Sequence, residues 1–568
     1  MTDKQMPVDL SFSLLWPSGK KTGTVKIRKQ SAVDLDIQKL VDFMAFDAKH
    51  RESLGNTLNS LCLDADTINY RFDILDDLIR FPVLVDCLRA LIPVLNNLRY
   101  YQMFLSLEWK TALQEAIWRL RELEHYVECI EKLSSAFEGI RNLLCSRGLT
   151  RLCALVQEVQ SSPAFRKLAR TLPQLLSKIR NLKSITIGVN LDAGLMPYEA
   201  TLISINEDKY KDSSLFTSLF GDHTWRGIAS LHRAPEGSEQ ASPLMVPLFK
   251  DISRIMDKIT QPLVKALKEF VSINSRLFIQ LQDDFLFYLG AAKLMDCMQR
   301  CGLPVTKPKV LEMERRQLDV RDLYNIDLVL HLLSQHEKEP AAVGGMIVKN
   351  DFSQGEDGRI IILTGPNRGG KTTFLQAMGL AQAMMQVGLF VPAREAAMSI
   401  CDDIFTHYPA LERLDSGTGR FGEEAGRISA VFDSATRHSL ILLNESLSST
   451  SWGESLYLAQ DILRVLRMLG TRALYATHLH GLAASAEQVN RDTPGESRLL
   501  SMAAQIEHLS PANSEDEEPP IKPTFKIVPG PPDGKSYAVE LASRFGISKK
   551  KLISRLRQRG ELDASPSL

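Results

Sequence analysis

Apolar positions recur at three- and four-residue spacing through most of residues 31–183, which reads as an almost wholly helical region. Residues 66–78 (DTINYRFDILDDL) form a helix that opens on a capping Asp66. Pro82 starts another that runs to about Ile92, where Pro93 interrupts it. Residues 109–144 are long, mixed in charge and nearly free of breakers, as in an extended antiparallel helix pair. These heptad-like faces are read as helix-on-helix core rather than as the lining of a cofactor site. The pattern changes at Lys183. Residues 184–189 (SITIGV) and 200–205 (ATLISI) alternate as strands, joined through Asn190, Gly194 and Pro197. A loop-like stretch follows to about residue 247, and 252–300 returns to long helix. Ahead of all this, 8–15 reads as a strand in a poorly patterned opening. The basic run at 19–29 (GKKTGTVKIRK) is a solvated arm in preference to a nucleic-acid-binding one.

A second pattern begins after a connector at 304–325. A short β-branched apolar run at 359–363 (RIIIL) reads as a buried parallel strand, 439–443 (SLILL) as another, and 471–476 as a further strand. The first leads into TGPNRGGKTTF at 364–374, and helical spacing resumes from Phe374 to Val387. Gly365, four residues, then Gly370-Lys371-Thr372 therefore lies between a strand and a helix, the context of a phosphate-binding loop. Glycines let the main chain wrap a phosphate, and successive N–H groups with the helix N-terminus supply partial positive charge. Gly365, Pro366, Asn367, Gly369, Gly370, Lys371, Thr372 and Thr373 are the candidate nucleotide contacts. Lys371 can reach the β- and γ-phosphates, and the Thr372 hydroxyl can ligate Mg²⁺. The second strand ends in Asn444-Glu445, where such enzymes place a metal-holding acid and a Glu that polarises water. Glu445 fits the second role; Asn444, a neutral amide, stands in the first, so both join Thr372 as candidate metal ligands. The third strand ends in Thr477-His478 and puts an imidazole at the same sheet edge, where ligands of parallel sheets bind.

Composition narrows the partners. The 568 residues carry 68 Lys+Arg against 68 Asp+Glu, so no global basic field points to nucleic acid and any such contact must be local. The eight cysteines include no CxxC pair and read as reduced core thiols of a cytoplasmic protein; Cys297 and Cys301, one helical turn apart, lack further ligands for a metal. No signal-like opening or membrane-length apolar run is seen.

Six motifs in order resemble the ATPase domain of the MutS family of DNA mismatch-repair proteins: TGPNRGGKTTF, GLFVPA (388–393), DDIFT (402–406), SGTGRFGEE (416–424), LLNESLSST (442–450) and ATH (476–478). More weakly, 62–79 is similar to the start of the family's helical lever, and 529–562 to its C-terminal dimerisation segment. The resemblance implies ATP and Mg²⁺ as cofactors, a homodimer with composite sites, and DNA as partner, gripped by the β insertion. It assigns Ile347 to the position of an adenine-stacking aromatic. Gly419 falls where the family has a Ser that reaches the partner subunit's γ-phosphate, and Ser416 or Thr418 could substitute. The lever pattern starts within the first seventy or so residues, which leaves no room for the family's mismatch-reading and connector domains.

The expected fold is multidomain α and α/β. It comprises an arm (1–30), a helical lever and core region (31–323) with a clamp-like β insertion at about 184–247, a P-loop, ABC-like ATPase domain (324–510), a flexible acidic and Pro-rich loop with a return strand (511–528), and a C-terminal helical segment (529–568). The expected function is ATP-dependent DNA binding, with hydrolysis coupled to clamp movement and mismatch reading not expected. An ATP-binding scaffold or partner switch with little turnover is the alternative, favoured by neutral charge and Asn444. A P-loop kinase fits the tandem motifs least.

Overall fold

The computed structural model describes residues 12–107, 112–180, 183–195, 197–209, 264–267, 270, 275–335, 339–409, 419–508, 521–530, 549–559 and 561. Contacts divide the chain into two units. One is built mainly from Asp86–Leu143 and Thr150–Gln282, the other from Ser11–Val85, Leu144–Leu149 and Asp283–Leu568.

Among its described residues the first unit is helical, with one hairpin. Pro82–Leu105 is a single helix that carries Pro93 inside it rather than stopping there. Proline removes one main-chain donor, but Leu91, Leu95 and Leu98 share a fully buried stripe that spans the site and holds both halves in line. Residues 109–144 likewise give one helix, Ala112–Phe137, followed by a short turn, rather than a helix pair. Tyr126 on this helix packs edge-on against Phe165 and Phe278, at 6.2 and 5.9 Å between ring centres. Strands β3 (Ser184–Leu191) and β4 (Pro197–Asn206) pair antiparallel. Val189, Leu191, Leu195 and Ile203 of this hairpin are exposed. The loop-like stretch expected to about residue 247, and the first part of the helix expected from 252, fall outside the described residues.

The second unit is α/β. Its main sheet has six strands in the order β10 (Ile404–His407), β11 (Leu440–Asn444), β12 (Arg472–Thr477), β8 (Ile360–Thr364), β13 (Leu499–His508) and β14 (Ile521–Pro529). All neighbours are parallel except β13 and β14. Strands β8, β10, β11 and β12 are buried along their whole length, as their apolar runs require. Beside this sheet lies a four-stranded one, β5 (Lys309–Leu311), β9 (Glu395–Ser399), β6 (Leu318–Leu323) and β7 (Asn350–Gln354). Residues 304–325 are therefore not a connector, because they supply β5 and β6. Residues 492–523 read from their charge and proline density as a flexible loop, but 499–508 of them form β13. The described part of 8–15 is not strand, and the helix at 66–78 begins earlier, with Asp64 accepting from the Thr67 N–H. A C-terminal helix, Lys549–Gln558, leaves Leu552 and Leu556 exposed.

One buried knot ties this unit together. Arg71, on the helix Ala65–Arg80, is fully buried and donates to the carbonyls of Leu15 and of Val387, both at 2.9 Å. Val387 is the last residue of the helix Lys371–Val387, so the guanidinium caps the negative end of that helix. The same cation lies 4.3 Å from the Trp16 ring centre. Asp284 accepts from the Ser13 hydroxyl and the Leu14 N–H, both at 2.7 Å, and burial pushes its carboxyl up to about 6. Replacing Arg71 with Leu should destabilise the chain by roughly 3 kcal/mol, because two buried carbonyls lose their donor together. An unfolding midpoint equal to the parent's would contradict this account.

Candidate functional site

Parallel pairing brings three strand ends to one edge. Thr364 stands opposite Thr477, and Asn444 opposite Ala476. Beyond Thr364 the chain turns through Gly365, whose φ of 142° suits glycine and whose Cβ would sit 2.7 Å from that of Ala504. Gly370, at φ 90°, caps the helix Lys371–Val387, which points its N-terminus at the turn. The Gly369 N–H closes the loop onto the Pro366 carbonyl at 3.1 Å.

Lys371 is buried at the floor of this turn. Its ammonium donates to the carbonyls of Gly365 and Pro366 at 2.8 and 2.9 Å and lies 3.9 Å from a Glu445 carboxylate oxygen. Burial lowers its proton affinity, and the Glu445 charge works in the opposite direction. The Thr372 hydroxyl donates to the Asn444 side-chain carbonyl at 3.2 Å, so two candidate metal ligands meet directly. The Thr373 carbonyl accepts from Asn325.

A cavity of about 370 Å³ opens beside the turn. It is lined by Gly369, Gly370, Lys371, Thr372, Thr373 and Glu445 of the turn and its surroundings, and by the apolar side chains of Leu323, Leu328, Ile347 and Phe525. Gly365, Pro366 and Asn367 build the turn without lining the cavity, and Asn367 is exposed. A second cavity of about 120 Å³ is bounded by Glu445, Thr477, His478 and Trp452, so Glu445 borders both. His478 is exposed there. Gly419 begins the helix Gly419–Phe432 at φ 68° and lines neither cavity; Ser416 and Thr418 lie outside the described residues.

Two site residues escaped the sequence reading. Phe525 lies on β14, at a φ of 59°, against Gly370, in a segment read only as a return strand. Its carbonyl accepts from Asn350. An aromatic in a run otherwise rich in Pro and Lys was the available signal. Asn325, which joins the Thr373 carbonyl to Gln376, carried no signal beyond its polarity.

Behind Glu445, the buried His407 imidazole lies 2.7 Å through Nδ1 from the Ser446 hydroxyl. Burial, reinforced by Arg427 and opposed by Glu424, pushes its pKa down to about 4.

Two domain models match the chain: MutS domain V over residues 361–559, and the MutS2 N-terminal domain over 63–301. The DNA mismatch repair protein MutS of Lactobacillus johnsonii is 31% identical over 319 residues, 54% of this chain and 35% of that protein. The protein of the same name from Clostridium tetani is 24% identical over 354 residues, 60% of this chain and 37% of its own length. Endonuclease MutS2 of Thermus thermophilus is 32% identical over 220 residues, 38% of this chain and 27% of the relative. The chain thus spans about a third of the length of these curated relatives.

The depressed His407 sets a pH test. Between about 6.5 and 4 the unfolded imidazole takes a proton that the folded one refuses, so stability from neutral His407 is full above that window and falls as pH falls through it. Asp284, raised to about 6, has the opposite slope below that pH, so the informative quantity is a difference between variants. His407→Gln should lose less stability than the parent between pH 6.5 and 4.5, measured from denaturation midpoints. Parallel pH profiles would show that His407 is not buried neutral.

Proposed function

The chain belongs to the MutS family, and from that premise we propose that it is an ATPase, working as a homodimer, whose nucleotide state drives a clamp-like movement on DNA. The observation that carries the reading is the meeting of Lys371 and Glu445 in the lining of one cavity, with Thr372, also of that lining, paired to Asn444.

In this reading the turn from Gly365 to Thr372 wraps the triphosphate with main-chain N–H groups and a helix N-terminus. Lys371 sets its charge against the β- and γ-phosphates. The donors Thr372 Oγ1, Asn444 Oδ1 and the Glu445 carboxylate are all hard oxygens, a set that fits Mg²⁺. Bound there, the ion would neutralise charge developing on the phosphates. Glu445, bordering both cavities, accepts the proton of the attacking water, and His478 stands on the water side as a second polar group. The apolar lining residues Ile347 and Phe525 are assigned to the base. Ser416 and Gly419 are assigned to the nucleotide of the second subunit.

The DNA role rests on relatives named for DNA mismatch repair and on the hairpin β3–β4, whose exposed side chains leave it free to contact a partner. Because the chain is neutral overall, such contact would come from local cations.

Two substitutions test the chemistry. Lys371→Ala should weaken ATP binding at least a hundredfold in equilibrium titrations, and unchanged affinity would remove the phosphate-loop assignment. Glu445→Gln should bind ATP as the parent does while phosphate release drops about a hundredfold or more. Binding to duplex or branched DNA should weaken steeply with added salt, and the ATPase rate per chain should fall on dilution. DNA affinity that ignores salt, or a rate that ignores dilution, would contradict the clamp reading.

A further inference from the structure

The loop that follows Glu445 is held in a conformation it would not choose. Glu445 and Leu447, neither of them glycine, have φ of 46° and 64°. Side chains resist this left-handed region, and residues remain there only when their surroundings hold them. The restraints can be traced individually. The Glu445 N–H donates to the Ala476 carbonyl at 2.8 Å. The Tyr475 hydroxyl donates to the Ser446 carbonyl at 3.0 Å, and His407 engages the Ser446 hydroxyl at 2.7 Å. The Ser455 hydroxyl donates to the Leu447 carbonyl at 2.6 Å.

Glu424 supplies two more. One carboxylate oxygen accepts the Leu447 N–H at 2.7 Å, and the other accepts the Ser449 hydroxyl. A single carboxylate thus spans the strained turn. It does so from a different element, the helix Gly419–Phe432. One turn later on that helix, Arg427 donates to the Tyr408 carbonyl at 2.9 Å and fixes the helix to the end of β10. The buried His407 reaches the same loop from β10 itself. No residue of this bracket other than Glu445 lines the cavity that holds Lys371.

We propose that Glu424 is a positioning residue for the hydrolytic step: by clamping Leu447 and Ser449 it holds the Glu445 carboxylate at the border of the two cavities. This rests on the ATPase reading above and adds a residue that lines neither of the two cavities. Two consequences follow from geometry. Loss of the clamp lets the turn relax, which moves Glu445 but leaves Lys371 and the phosphate turn in place. A shift of the helix Gly419–Phe432 also carries Glu424 with it, so that helix and the loop of Glu445 move together.

The test compares Glu424→Ala and Glu424→Gln with the parent in two measurements, equilibrium ATP affinity and single-turnover phosphate release. Glu424→Ala should slow release at least tenfold while ATP affinity stays within twofold. Glu424→Gln keeps a carbonyl for the Leu447 N–H and offers an amide to the Ser449 oxygen, so it should recover the parent rate to within about threefold. If the alanine variant fails to fold, Ser449→Ala, which frees one carboxylate oxygen, should give a smaller loss of the same kind. The assignment is overturned by an alanine variant at the parent rate, by affinity that falls in step with rate, or by a glutamine variant as slow as alanine. A parent chain that binds no ATP or releases no phosphate would instead remove the ATPase reading itself, and this assignment with it.

Discussion

Parallel strands in one sheet must end at the same edge, and the site depends on that constraint. Because β11, β12 and β8 are successive neighbours in register, Gly365, Glu445 and His478 emerge at one edge although Glu445 lies 80 positions after Gly365 in the chain and His478 another 33 beyond it. Each strand is buried on both faces, so its side chains cannot do chemistry where they stand. Function falls to the residues just past the last ladder bond, where the main chain is free to turn.

Such an edge is useful only if the elements behind it do not slide. The helix Lys371–Val387 is fixed at its far end by Arg71, and along its length by polar contacts in a dry interior. Gln386 donates to the carbonyls of Cys62 and Cys401, and Gln382 to that of Ser399. Arg472, fully buried at the start of β12, meets carbonyls and the Gln382 amide rather than a carboxylate. Desolvation lowers its proton affinity, yet a guanidinium remains charged at any ordinary pH, so those oxygens must stay aimed at it. Polar groups buried this way tolerate little displacement, since each lost partner leaves an unsatisfied atom.

The legible parts of the fold were those in which one local pattern decides the outcome. The runs RIIIL and SLILL are too apolar and β-branched for anything but buried strands, and the glycines after the first admit one kind of turn. Strands β5 and β6 were not legible, because three and six residues of mixed polarity gain their order from β9, which lies between them, and β6 also from β7. Strand β13 (LLSMAAQIEH) carries no alternation of apolar and polar residues along its first half, and its ladder with β8 holds it. Pro93 misled for a related reason: a breaker acts locally, whereas the buried stripe that overrides it acts along the whole helix. Glu424 was visible inside the SGTGRFGEE motif, but its two partners lie more than twenty positions away, and only the fold shows them.

Asn444 gives the site its distinctive electrostatics. It is buried at the tip of β11, and its side-chain carbonyl already accepts the Thr372 hydroxyl. A carboxylate at this position would add a second negative charge beside Glu445 and attract a divalent cation by itself. The amide offers an oxygen of the right hardness with no net charge, so the attraction for a cation must come from the phosphates of a bound nucleotide. Lys371, satisfied by two carbonyls and facing Glu445, shares the cavity lining with a second cation, Arg368. A lining of that kind responds strongly to a triphosphate, which changes the local charge and carries the cation's other ligands with it. In the proposed reading, cation and nucleotide would bind together at this site, because the neutral side chain at position 444 adds no charge of its own to hold the ion.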